Sequence, residues 1–101
     1  MAMWGLDLEQ VERLAVKMEE DAGTIEGINS ALTSMLGGTE WQGPDAERFR
    51  SDWETQFSKM LRDVVEALGI AARTARTNAQ EQEQASNSSG SGGGGGGADR
   101  T

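Results

Sequence analysis

The only hydroxyl nucleophiles in the patterned half of this chain worth weighing are Ser30, Ser34, Ser51 and Ser58. A serine hydroxyl attacks only when a neighbouring base takes its proton, and histidine usually does that work. The chain has no histidine and no cysteine. The commonest base, the commonest zinc ligand and all thiolate chemistry are therefore missing together. Carboxylates gather at Glu19, Glu20 and Asp21, and again at Glu81 and Glu83. Paired carboxylates do acid–base chemistry when their surroundings push their proton affinities apart, but a charge run on a helix is far more often a solvated face. The glycines at 92–97 lack the lysine and the preceding strand of a phosphate loop. Calcium-loop spacing is absent too. These residues predict no enzyme, no catalytic residue, no metal, no cofactor and no small-molecule substrate. They predict a protein that acts by contact.

Contact surfaces need elements to carry them. In the first half the apolar residues fall at Leu8, Val11, Ala15, Met18, Ala22, Ile25, Leu32 and Leu36, with Asn29 where the series expects another. Steps of three and four mark an amphipathic helix with a coiled-coil-like seam. Asp7 is placed to cap its start, with Gln10 three residues on. Gly37 and Gly38 are a C-terminal stop. Gly23 and Gly27 each cost about 0.8–1 kcal/mol relative to alanine within a helix, which makes this stretch the weak point where the helix could bend or fray. Both lie off the seam, which favours solvent-facing glycine over close helix contact. The second helix starts at Gly43 and Pro44, since proline fits the first helical position. Asp45 and Glu47 put negative charge where the helix dipole favours it. Its apolar series runs Ala46, Phe49, Trp53, Phe57, Met60, Leu61, Val64 and Leu68, then alanines to Ala79. A bundle built on it is thick early and tapers late. Met18, Met35 and Met60 read as packing residues. No strand-like alternation occurs.

The 101 residues allow a single small domain. Residues 1–84 form the helical domain, and 85–101 are a Ser/Gly-rich tail that cannot bury enough apolar surface to order itself. A core of that size is marginal without disulfides, a metal or a partner chain, so association is expected. The net charge of −8 excludes the basic patch that nucleic acid requires. No apolar run reaches the roughly 20 residues of a membrane span. The acidic N-terminal stretch has no signal-peptide pattern, so any export is expected to take another route. Trp4, just before the Asp7 cap, reads equally as local cap packing and as an intermolecular anchor.

A costly aromatic, Trp41, falls in the predicted turn "GGTEWQGP". Two long helices joined by so short a link fold back antiparallel. Trp41 is expected to cover the helix ends, with Gly43 letting the chain turn tightly beside its ring. At this point the chain resembles the WXG family, the small ESAT-like substrates of type VII secretion systems in Gram-positive bacteria. The resemblance rests on Trp41-Gln42-Gly43 at mid-chain between two amphipathic helices, followed by Phe49 and Trp53. It covers residues 4–80. It implies an all-α antiparallel hairpin that dimerises, with itself or a sister protein of the family, into a four-helix bundle. It also implies a cytoplasmic pool followed by secretion through a membrane ATPase machine. The seam Val11, Ala15, Met18, Ile25, Leu32, Phe49, Trp53, Phe57, Met60, Leu61, Val64 and Leu68 would form the core and the dimer contact. One departure stands out. Members or their partners carry a Tyr-x-x-x-Asp/Glu signal after the second helix, and this chain has no tyrosine. An intracellular adaptor that pairs with a larger toxin or a sister protein is the alternative role.

Overall fold

A computed structural model describes the backbone of residues 5–90 and the side chains of residues 5–85. Trp4 and the glycine run lie outside the described residues. Helix α1 spans Leu8–Gly38. The Asp7 carboxylate accepts the Gln10 backbone N–H at 3.1 Å, as the cap spacing predicts. At the other end the Thr39 hydroxyl donates to the Met35 carbonyl at 2.6 Å, and the Thr39 N–H to Leu36 at 3.3 Å. The helix runs unbroken through Gly23 and Gly27, and a Cβ at either position would meet nothing within 4 Å. Both are solvent-side glycines, as their place off the seam predicts, and the helix does not fray there.

The turn at 39–43 reverses the chain. Gly43 has φ 111° and ψ 173°, the one described residue with positive φ. That combination is essentially closed to residues carrying a Cβ. An added Cβ would meet nothing within 4 Å, so Gly43 is required by its backbone angle and not by close approach of the Trp41 ring.

The second arm was expected as one helix and is bent. Helix α2, Pro44–Asp52, opens with Pro44 in its first turn. A single π-helical turn, Trp53–Phe57, follows, with the Ser58 N–H reaching back to the Trp53 carbonyl. Helix α3 then spans Ser58–Gly90. It passes the boundary expected at 84 because residues 81–85 are helix formers that carry the register beyond the apolar series. The described residues contain no strand, and no described helix is long and apolar enough to cross a membrane.

The arms pack as a slender antiparallel hairpin, 72 × 24 × 19 Å. Where they meet, the buried apolar residues are all small: Ala15 and Ala22 on α1, Ala46 on α2, Ala72 and Ala79 on α3. No large side chain among the described residues is fully buried. Small residues along the seam let the helix axes approach closely. The consequence is that bulky apolar groups are pushed to the flanks, where one neighbouring helix cannot cover them.

Candidate functional site

At about 100° per residue, Ala15, Ala22 and Asn29 mark the line of α1 that faces the second arm, and Ser58, Ala72 and Ala79 mark the line of α3. Measured from those lines, the bulky apolar residues fall to one side on both arms. On α1 these are Leu14, Ile25, Ile28, Leu32 and Met35; on the second arm, Phe49, Phe57, Met60, Val64 and Leu68. Because the helices run antiparallel, both flanks lie on the same side of the hairpin and form one apolar face. Most of it is open: Met35 is 67% exposed, Met60 60% and Phe57 42%. Val16 and Ile70 are also exposed but point away from this face.

Aromatic rings line the face near the turn. Trp41 lies against Phe49 with centroids 5.6 Å apart, Phe49 against Phe57 at 6.2 Å, and Phe57 against Trp53 at 6.5 Å. All three pairs are tilted, which suits the edge-to-face preference of ring quadrupoles. Trp41 is 40% exposed, so it caps the row without being enclosed.

The turn is pinned chiefly by Arg50. Its guanidinium donates to the carbonyls of Trp41 at 2.8 Å, Thr39 at 2.9 Å and Leu36 at 3.3 Å. The Leu36 carbonyl, one of the last in α1, already accepts the Thr39 N–H and takes the guanidinium as a second donor, a favourable place for a cation. Trp41 thus supplies a ring to the face and a carbonyl to Arg50.

Polar bonds on the line between the arms, and on the side away from the apolar face, set the register of the hairpin. Asn29 accepts from the Ser58 hydroxyl at 2.9 Å and donates to the Ser58 carbonyl at 3.3 Å. Arg62 donates to the same hydroxyl at 2.9 Å, and the Trp53 indole N–H donates to the Thr33 hydroxyl at 2.8 Å. A groove of about 670 Å³ opens beside this cluster, between Ser30, Ser34, Glu54 and Arg62. Toward the open end, Arg76 clasps α1: it bonds Glu12 at 2.8 and 2.9 Å and Glu19 at 2.6 and 3.1 Å. These bonds hold the Glu12 and Glu19 carboxyls below the usual carboxylate range and raise the guanidinium further above its own.

The seam residues chosen from sequence therefore separate by depth. Ala15 is buried; Val11, Met18, Ile25, Trp53, Leu61 and Leu68 are half-buried; Leu32, Phe49, Phe57, Met60 and Val64 are exposed on the face. Trp4, the other candidate anchor, lies outside the described residues. Sequence reasoning missed Arg50 and Arg76, whose partners come from the other arm or the turn and leave no periodic trace. It registered Asn29 only as a gap in the apolar series. That gap was the signal of a polar register pin between helices. A search of protein-family models, curated proteins and solved structures finds no match to the chain.

Proposed function

We infer that this chain is a WXG-type, ESAT-like protein that acts by pairing through its apolar face, with a second copy or a sister hairpin completing a four-helix bundle. In this reading the pair forms in the cytoplasm and is exported by a type VII secretion system through its membrane ATPase. The observation that carries the reading is the face itself. A hairpin turned at Trp41-Gln42-Gly43 leaves a continuous row of rings and aliphatic side chains that its own arms do not cover. Monomeric proteins rarely expose contiguous apolar patches beyond a few hundred Å². The side chains of this face together approach, to order of magnitude, the ~800 Å² that a standard interface takes from each partner.

Deleting the type VII ATPase in the native host and blotting the culture filtrate tests export. The extracellular chain is expected to vanish while the cellular pool persists; unchanged extracellular levels would remove the export claim. A second reading is favoured by the absence of tyrosine. Without its own Tyr-x-x-x-Asp/Glu signal, the chain would serve as an intracellular adaptor, covering its face with a larger secreted toxin or a sister protein that carries the signal. An adaptor stays in the cell pellet whether or not the ATPase is present.

A further inference from the structure

The two most solvent-open bulky residues of the apolar face are both methionines, Met35 at 67% and Met60 at 60%. Met18, nearer the line between the helices, is half-buried. Leucine would pack an apolar flank as well as methionine, but a thioether can be oxidised and a leucine side chain cannot. We propose that Met35 and Met60 are paired oxidation sites through which peroxide turns the apolar face polar and prevents it from docking a partner. This rests on the reading of that face as the pairing surface.

The chemistry needs only hydrogen peroxide. A sulfur lone pair attacks one peroxide oxygen, an S–O bond forms as the O–O bond breaks, and the other oxygen leaves as water after taking the proton of the first. Sulfur loses two electrons and the peroxide gains them. The sulfoxide is a strong hydrogen-bond acceptor, and covering it with apolar groups leaves it unsatisfied. Each oxidised site is expected to weaken pairing about tenfold. Both sites lie in the docking area, so the paired chain shields them and the unpaired chain is the one oxidised.

The test treats the full chain with dilute peroxide at a concentration too low for pairing, and follows it by peptide mass spectrometry and, after concentration, by sedimentation. Met35 and Met60 are expected to gain oxygen well before Met18, and the product to dissociate at concentrations where the untreated chain pairs. The Met35→Leu, Met60→Leu double variant should keep pairing after the same treatment, and methionine sulfoxide reductase should restore the oxidised chain. Oxidation of Met18 at the same rate, or unweakened pairing of the oxidised chain, overturns the proposal. If the untreated chain sediments as a monomer throughout, the self-pairing reading fails. Retention on a hydrophobic-interaction column then decides the oxidation claim: earlier elution after peroxide, absent in the double variant, upholds it, and unchanged elution overturns it.

Discussion

Gly43 and Gly27 show how one residue type plays opposite roles. Gly43 holds φ 111° with open space around it, so a side chain there is opposed by backbone geometry alone. Gly43→Ala is expected to destabilise the chain by about 1–3 kcal/mol in denaturant unfolding. Gly27 lies in a helix interior with equally open space. Gly27→Ala is expected to stabilise by about 0.8–1 kcal/mol in the same assay. Both changes acting in one direction would break the distinction. The Arg76 clasp makes the next prediction. Hydrogen bonds from Arg76 depress the Glu12 and Glu19 carboxyls. Their contribution is therefore fully present above the ordinary carboxylate range and is lost as pH falls through the depressed values. The chain has no histidine, so no side chain with an ordinary pKa titrates between about pH 5 and 8. Melting temperature should be flat across that window and fall in acid, and Arg76→Leu should shrink the acid-side fall. Because both carboxylates are exposed and Arg76 only half-buried, the difference is small and is best read as amide-exchange protection near Glu12.

At the scale of elements, the π turn at Trp53–Phe57 decides which residues share the face. A straight α-helix advances about 100° per residue, so each four-residue step drifts about 40°. Phe49, Trp53, Phe57 and Leu61 follow one another at steps of four, and over such a run the stripe would slide by about 120°. One extra residue in the turn cancels most of that drift. It brings Ala46 to face α1 and aligns Phe49 with Phe57. Deleting Glu54 should therefore restore regular α-helix and keep the register of α2 on α3, since Phe49 would then stand seven residues before the second ring and within about 20° of it. Deleting Glu66, in regular helix with no extra residue to absorb the loss, should instead rotate the rest of α3 by about 100° against the part before it. Cooperative unfolding is expected to survive the first deletion, and the second to lower the melting temperature or abolish cooperativity. The spacing that demands the π turn was present in the sequence, but reading the second arm as one unbroken helix hid it. Helix existence, the Asp7 cap and the turn at Gly43 were legible because each depends on residues close in sequence. Arg50, Arg76 and the partners of Asn29 were not, since they join positions that only the folded hairpin brings together.

For the molecule as a whole, shape and charge pull on pairing in different directions. An alanine-lined seam with no fully buried large side chain leaves the lone hairpin little apolar burial to offset chain ordering. Covering the face is then the chief remaining gain, and unfolding should depend on concentration, with the midpoint rising as the chain is concentrated. The face is bulky near the turn, at Phe49, Phe57 and Met60, and small at Ala71 and Ala75. In the proposed self-pairing, a head-to-tail arrangement would set each bulky end over the other copy's small one. Against this stands a net charge of −8 on each chain. Bringing two like-charged copies together costs repulsion that salt screens, with a Debye length of about 30 Å at 0.01 M falling to about 8 Å at 0.15 M. Self-pairing should therefore tighten as salt rises across that range in sedimentation. A sister chain rich in lysine and arginine would show the reverse, its pairing weakening as salt is added, because there the long-range field attracts. The sign of the salt dependence thus distinguishes a like from an oppositely charged partner. Association that is insensitive to both concentration and salt would mean that the apolar face is not what joins the chains.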